Sequence, residues 1–160
     1  TISLMTPSFV TIESFKVTGP NVRTDLATEL NPDTGRLKPM WTRFLEENVM
    51  ATIPNQVDGS TVYGVYSDYQ SDQNGPYTAT AGLRVSADVG NVPDLHTVVV
   101  NGGDYLVFEA EGPIPDVVGK VWREIWAYFE SGADYRRRYS TDFERYANTD
   151  SVAVYISVER

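Results

Sequence analysis

The residue best placed to do chemistry in this sequence is Glu144, which stands with the aromatic residues Phe143 and Tyr146 on either side, just ahead of an apolar final segment. A carboxylate that points away from solvent in such surroundings carries a charge that is costly to bury unless something compensates it. A cationic ligand would compensate it, because aromatic faces also attract cations. From these residues alone an exposed glutamate beside a strand is the simpler interpretation, and an aromatic pocket for a bulky apolar cation is the alternative.

Other chemistries find little support in the residue inventory. His96 is the single histidine and there is no cysteine, so a Ser-His-Asp or Cys-His arrangement could form only through His96. A packed or edge-strand histidine is the simpler interpretation. No cluster has metal-ligand spacing, and residues 101–104 lack the lysine and the following helix of a phosphate loop. Glu109 and Glu111 share one face of a strand, which could suit acid/base chemistry, but this arrangement is more typical of solvated edge carboxylates. We therefore expect no catalytic residue, no metal and no cofactor.

The composition argues against nucleic-acid and membrane partners. The chain has 160 residues and a formal net charge of −9, whereas phosphate contacts need clustered Lys and Arg. The one basic cluster, residues 136–138, is interpreted as a solvated segment near a helix end. No apolar run approaches the roughly 20 residues that cross a bilayer. The absence of cysteine and of a signal-peptide pattern suits a cytoplasmic protein.

Two helices are predicted from apolar residues at helical spacing. The first spans about residues 37–50, with Pro39 in its first turn, after a polar connection that follows a break at 18–21. The second spans about residues 115–130 and stops at Gly132. The apolar faces are Trp41, Phe44, Leu45 and Val49 in the first helix, and Val117, Val118, Val121, Trp122, Ile125, Trp126 and Phe129 in the second.

Strands are indicated by β-branched and aromatic runs between turn residues. They are predicted at residues 9–17, 61–69, 77–87, 95–100, 105–111 and 151–159, with turns at 58–60, 71–76 and 101–104.

The order of elements repeats at a spacing of roughly 80 residues. We predict one domain, residues 1–160, with internal repeats at about 8–90 and 94–160. Its fold class is α+β: duplicated β-α-β-β units with pseudo-twofold symmetry, an antiparallel sheet, two main helices and a ligand cleft between the halves. The matching positions are Gly19 with Gly102, Trp41 with Trp122, residues 66–69 with residues 143–146, and residues 83–85 with residues 156–158.

These residues resemble the GyrI-like small-molecule-binding family, the effector-binding domain of AraC-type and MerR-type multidrug regulators. The resemblance spans nearly the whole chain. It is carried by residues 102–108, Gly112, Trp122, Trp126, residues 143–146 and residues 154–158, with residues 63–69 and 75–77 in the first half.

The resemblance implies a pocket between the two halves that binds large, flat, hydrophobic cations. The family's pocket glutamate, in its aromatic–Glu–x–Tyr motif, falls on Glu144. Ser157 stands where the family often has proline. No helix-turn-helix domain is attached, which implies a free-standing module like those on integron cassettes, without direct nucleic-acid binding.

Aromatic residues near Glu144 complete the predicted site. Tyrosine rings on strands offer contact area, attraction for cations and a hydroxyl group. The tryptophans occupy helical core positions, so plain core packing is an equally open interpretation for them. The residues predicted to bind ligand are Glu144, Tyr66, Tyr155, Trp126, Trp122 and Trp41.

We therefore predict a module that senses or sequesters hydrophobic cationic small molecules without catalysis, and the sequence leaves a homodimer open. Two alternatives stand beside this prediction. One is a hydrolase acting on drug-like molecules in the same pocket, because some relatives of the family resemble hydrolases. The other is a protein-binding inhibitor, because the family's namesake resembles a gyrase inhibitor. Product formation would favour the first, and capture of a partner without any small molecule would favour the second.

Overall fold

The structure is a computed structural model, which describes residues 3–4, 6–57, 60–88, 90 and 92–159. The predicted α+β class with an antiparallel sheet is confirmed. The strands are β1 (Ser3–Leu4), β2 (Ser8–Ile12), β3 (Phe15–Gly19), β4 (Asn21–Thr24), β5 (Val62–Ser67), β6 (Tyr77–Val85), β7 (His96–Val100), β8 (Gly103–Glu111), β9 (Arg136–Arg137), β10 (Asp142–Tyr146) and β11 (Ser151–Glu159). The α-helices are α1 (Leu26–Leu30), α2 (Leu37–Glu46) and α3 (Asp116–Glu130).

One antiparallel sheet carries both halves of the chain, and the pair β5–β10 lies at its centre. Neighbouring strands follow the order β1-β8-β11-β10-β5-β6-β3-β7, while β2 pairs with β8, β4 with β6 and β9 with β11. The sheet therefore continues from the first half into the second without an interruption.

One row of cross-strand partners runs from the part of the sheet that α3 covers to the part that α2 covers. Val154, Glu144, Gly64 and Ala81 are successive partners across β11, β10, β5 and β6, so they share one face of the sheet. Val154 belongs to the apolar cluster that buries α3, and Ala81 to the cluster that buries α2. Glu144 therefore lies in the middle of the sheet, on the face that the helices cover.

The other face of the sheet holds a separate apolar cluster. Aromatic residues dominate it, including Tyr63, Tyr105 and Phe143, and Tyr155 packs against them. Phe143 and Glu144 are neighbours on β10, so the alternation of a strand sends their side chains to opposite faces.

The two halves exchange their first strands. Ser8 on β2 lies opposite Val107 on β8, and His96 on β7 lies opposite Gly19 on β3. Positions 8 and 96 are 88 apart, and so are positions 19 and 107, which makes the two pairings equivalent. Each half therefore supplies an edge strand to the other.

The first predicted strand, residues 9–17, is wrong as one element because Glu13 and Ser14 belong to neither of the two strands that it forms. Its first part forms β2 and its second part β3, and these strands pair with different partners. The polar connection that follows contains β4 and α1. Pro20 interrupts the strand, yet β3 and β4 both lie along β6.

Helix one ends earlier than predicted. α2 stops at Glu46, Asn48 takes a left-handed conformation (φ 56°), and a short 3-10 helix at Val49–Thr52 follows. Leu45 is 56% exposed and does not join the buried face. The start of α2 agrees with the prediction. The Glu29 carboxylate accepts hydrogen bonds from the backbone N–H groups at this end of the helix, where negative charge is favourable.

The second half follows the prediction more closely. α3 and β11 have nearly the predicted bounds, and Gly132 after α3 adopts a left-handed conformation (φ 84°). The predicted turn at 58–60 lies partly outside the described residues. The bounds of the repeats, 8–90 and 94–160, stay a prediction.

The structure corrects two of the predicted repeat matches. Tyr66 packs edge-on against Trp122 and Tyr146 packs edge-on against Trp41, so Tyr66 matches Tyr146 and positions 80 apart are equivalent on β5 and β10. The predicted match of residues 66–69 with 143–146 is therefore displaced by three positions. β3 and β8 are also equivalent strands in the repeat. The repeat equivalent of Gly102 is therefore Ser14 and not Gly19.

Candidate functional site

The carboxylate of Glu144 is held by three neutral hydrogen-bond donors. The Tyr66 hydroxyl donates to its Oε2 at 2.8 Å, the Trp122 indole Nε1 donates to the same oxygen at 2.7 Å, and the Tyr146 hydroxyl donates to Oε1 at 2.7 Å. These donors come from β5, α3 and β10, so both halves of the chain contribute. Glu144 itself is only 2% exposed.

Burial has the largest effect on the pKa of Glu144. It raises this pKa, and the hydrogen bonds from Tyr146, Trp122 and Tyr66 offset only part of the increase. Burial and the nearby Glu144 charge also raise the pKa of both tyrosine hydroxyls well above the ordinary value. The tyrosines therefore stay protonated at neutral pH and remain donors.

No cation neutralises Glu144 within the part of the chain that the structure describes. The ion pairs found among those residues involve other carboxylates. Hydrogen bonds from neutral groups stabilise a buried carboxylate, but they leave its net charge uncompensated. The site therefore has one unit of charge that an incoming cation could balance.

A second buried carboxylate, two positions earlier on β10, has its own cation. Asp142 is 0% exposed, and its Oδ2 lies 2.8 Å from a guanidinium nitrogen of Arg137. Tyr69 and the backbone N–H of Ser157 also donate to it. The prediction that residues 136–138 form a solvated segment is thus wrong for Arg137, whose side chain is 6% exposed. The ion pair outweighs the effect of burial and raises the Arg137 pKa.

Two tryptophans stand on either side of Glu144. Trp122 meets Tyr66 edge-on with ring centres 5.4 Å apart, and Trp41 meets Tyr146 edge-on at 5.7 Å. Trp41 and Trp122 come from α2 and α3, and Tyr66 and Tyr146 are the repeat equivalents on β5 and β10. The four aromatic residues around Glu144 are therefore related by the pseudo-twofold symmetry, whereas the charge of Glu144 is present in one half only.

Gly64, the repeat equivalent of Glu144, keeps the space for the carboxylate. A Cβ atom at this position would lie 2.8 Å from Cζ2 of Trp41 and 2.9 Å from Oε1 of Glu144. Both distances are shorter than side-chain contacts allow. Only glycine fits opposite Glu144 with Trp41 in its observed position.

The structure brings four of the predicted site residues together and places two elsewhere. Glu144, Tyr66 and Trp122 are in direct contact, and Trp41 packs against Tyr146, which donates to Glu144. Tyr155 lies on the opposite face of the sheet, where its ring stacks on Phe143 at 4.4 Å.

Trp126, the other displaced residue, lies one helical turn beyond Trp122. The two ring centres are 6.2 Å apart, and Trp126 lines a separate cavity at the end of α3. It is therefore a neighbour of a wall residue and not itself a partner of Glu144.

Sequence reasoning missed Tyr146 and Gly64 as site residues. A signal for both exists in the pattern Thr-x-aromatic-x-x-Tyr, which occurs at residues 61–66 and again at 141–146. The pattern aligns the two tyrosines and sets Gly64 opposite Glu144. Asp142 and Arg137 carry no comparable signal, because a charged residue in a strand or loop is ordinarily solvated.

Two other kinds of feature, a metal-binding cluster and a membrane-spanning helix, are absent from the part of the chain that the structure describes. No group of His, Cys, Asp or Glu side chains there could hold a metal ion. No helix in that part of the chain is long and apolar enough to cross a membrane.

Comparison with known proteins finds relatives along nearly the whole chain. Residues 8–158 match the model of a family described as integron-associated effector binding protein. YobU of Bacillus subtilis (strain 168) is 24% identical over 149 residues, which cover 89% of this chain and 91% of YobU.

Two solved structures extend the comparison. An integron cassette protein from the mobile metagenome of Vibrio cholerae is 31% identical, with a TM-score of 0.85 and 99% of each chain covered. SAV2435, solved with bound tetraphenylphosphonium, has a TM-score of 0.75 at 15% identity and covers 97% of this chain and 94% of its own. At that identity, the second likeness shows the shared fold alone.

Proposed function

The chain belongs to the family of integron-associated effector-binding proteins, and we propose that it binds bulky apolar cations with Glu144 as the counter-charge. The observation that carries this proposal is a buried carboxylate with three neutral donors and no cation among the described residues. A ligand charge beside Glu144 would compensate it where solvent cannot.

The hydrogen-bond pattern also favours a particular kind of cation. Three donors already serve the carboxylate oxygens, so the ligand needs to supply charge and not further N–H groups. Quaternary phosphonium and ammonium ions have this property, and aromatic faces attract them. The tetraphenylphosphonium bound in SAV2435 is a cation of this class.

The four aromatic residues around Glu144 would supply the remaining contacts. Trp41 and Trp122 present large apolar surfaces from the two helices, and Tyr66 and Tyr146 add rings that are held in place by their bonds to Glu144. Since Glu144 is almost fully buried, entry of a bulky ligand requires these side chains to separate. Binding should therefore change the tryptophan fluorescence.

The experiment is a calorimetric titration with tetraphenylphosphonium and with tetraphenylborate, an anion of matching shape. We expect the wild-type protein to bind the cation and to reject the anion. Glu144→Gln should weaken cation binding by about 30-fold or more, because removing one partner of a buried charge pair costs roughly 2–5 kcal/mol.

Glu109→Gln is the matched control, since Glu109 is an exposed carboxylate on β8 of the same sheet. It should bind like the wild type. Equal affinity of wild type and Glu144→Gln for the cation would refute Glu144 as the counter-charge.

Turnover is tested with the same samples. Effector binding, the property for which the family is named, leaves the ligand intact. We expect chromatography of a hydrolysable cationic ester, recovered after incubation with the protein, to show no product above the level of Glu144→Gln. Product formed only by the wild type would favour the hydrolase alternative.

A further inference from the structure

We propose that a second site for aromatic cations lies outside the Glu144 site, in the cavity at the end of α3. This cavity, called the outer cavity below, has a volume of about 680 Å³, which is within the range of small-molecule sites. The lining residues that the argument uses are Trp126, Phe129, Glu130, Ala133, Arg137 and Tyr139.

The outer cavity is separated from Glu144 by two indole rings. Trp126 lines the cavity, its ring centre lies 6.2 Å from that of Trp122, and Trp122 donates to Glu144. A molecule in the cavity would therefore contact neither Glu144 nor its two tyrosines. The outer cavity is a distinct site, and its occupancy does not depend on the charge of Glu144.

The walls of the outer cavity favour a flat or globular aromatic ligand. Trp126 and Phe129 line the cavity from α3, and Tyr139 lines it from the segment before β10. The ring of Tyr139 already makes a cation–π contact, because the Arg137 guanidinium lies 4.5 Å from its centre. Aromatic faces in this cavity therefore attract positive charge as they do elsewhere.

The charge balance of the outer cavity favours a cation over an anion. Its two arginines are both paired: Arg137 with Asp142 at 2.8 Å and Arg136 with Glu159 at 3.8 Å. Glu130 lines the cavity and makes no ion pair with any described residue, whereas the carboxylates that neutralise the two arginines lie outside the lining, so the unbalanced charge of the cavity is negative. The carboxyl end of α3 adds the negative end of the helix dipole.

The test uses Glu144→Gln as the background, with tetraphenylphosphonium as the probe and equilibrium dialysis as the measurement. We expect the wild type to bind two cations per chain and Glu144→Gln to bind one. Adding Ala133→Trp, which fills the outer cavity, should abolish the remaining binding. Adding Glu130→Gln should weaken it about two- to fivefold, as for an exposed charge.

Glu124→Gln in the same background is the matched control, because Glu124 is an exposed carboxylate of α3 outside the cavity. It should leave the remaining binding unchanged. Circular dichroism of each variant confirms that the fold is retained.

The outcomes separate this proposal from the proposed function. Loss of all binding in Glu144→Gln, or remaining binding that Ala133→Trp does not affect, would overturn the outer site. One cation per chain in both wild type and Glu144→Gln, abolished by Ala133→Trp, would support the outer site and refute the role of Glu144.

Discussion

Asp142 and Glu144 are two buried carboxylates on one strand, and they differ in what balances their charge. Asp142 has Arg137 at 2.8 Å, whereas Glu144 has only hydroxyl and indole donors among the described residues. An internal ion pair completes the first arrangement, while the second lacks a positive charge. The two residues should therefore respond in opposite ways when a charge is removed.

Arg137→Met is expected to destabilise the protein by roughly 3–5 kcal/mol, because it leaves Asp142 buried without its cation. Glu144→Gln at pH 7.5 should leave the unligated protein at least as stable as the wild type, since it removes an uncompensated charge. Urea denaturation at that pH measures both free energies of unfolding. Arg137→Met/Asp142→Asn is the control and should recover much of the loss; no recovery would contradict the ion-pair explanation.

The raised pKa of Glu144 predicts how ligand affinity depends on pH. A bound cation favours the ionised carboxylate, so binding should release a proton when the free carboxyl is protonated. Affinity for tetraphenylphosphonium should therefore be highest above the raised pKa and fall as the pH drops through it. Calorimetry at several pH values measures this, and Glu144→Gln should give a flat profile over the same range. A wild-type profile as flat as that of the variant would exclude titration of Glu144 as the cause.

The same shift has a defined sign for stability. The folded protein retains the Glu144 proton at pH values where the unfolded chain has released it. This residue's contribution to stability is therefore full below the unfolded pKa and lost as the pH rises through the folded pKa. Ligand binding counteracts that loss, because it stabilises the ionised form.

Sequence reasoning could identify Glu144 because its aromatic neighbours and the family motif mark it. It could not separate Tyr66 from Tyr155, since both are strand tyrosines with similar surroundings in the sequence. The separation depends on register: Tyr155 is the partner of Phe143, which faces away from the helices. A shift of one position reverses the face of a strand residue.

At the scale of elements, the site depends on how closely α2 approaches β5. Trp41 on α2 reaches the backbone of Gly64 so closely that no Cβ atom fits. This contact brings the helix of the first half against the glutamate of the second half. The width of the site is thus determined by a glycine that carries no functional group.

Gly64→Ala is expected to destabilise the protein by about 1–3 kcal/mol, the usual cost of overpacking, and to weaken cation binding by displacing Trp41 or Glu144. Gly119→Ala is the matched control. Gly119 lies exposed within α3, and a Cβ atom there would meet only Arg123 at 3.5 Å. That change should stabilise the protein by about 0.5–1 kcal/mol. Thermal denaturation measures both, and a harmless Gly64→Ala would disprove the close contact.

The elements that could be predicted are those whose partners are local or whose pattern is long. α3 is 15 residues long with an apolar stripe along one face, β11 has nine residues of strand pattern, and both have nearly the predicted bounds. Residues 9–17 also have a strand pattern. Their division into β2 and β3 follows from pairing with different distant strands: Ser8 on β2 lies opposite Val107 on β8, 99 positions away, and Phe15 on β3 lies opposite Val100 on β7. A local sequence pattern contains no information about such partners.

At the scale of the whole molecule, the exchange of first strands makes the halves dependent on each other. β2 pairs with β8 of the second half, and β7 pairs with β3 of the first half. The central pair β5–β10 also joins the halves, and the row through Gly64 and Glu144 crosses it. A half alone would expose β5 or β10 as an open edge and would leave β3 or β8 without an outer partner.

We therefore predict that a chain divided after Gly90 gives two fragments that do not fold separately. Each fragment alone should lack a cooperative thermal transition, because unpaired strand edges and a half-covered apolar face leave too little buried surface to offset conformational entropy. Mixed in equal amounts, the fragments should recover the circular dichroism and the cation binding of the intact chain. Their mixture should unfold at a temperature that rises with concentration, since association contributes to its stability. Cooperative unfolding of either fragment alone would show that the halves are independent domains and that the strand exchange joins units already stable by themselves.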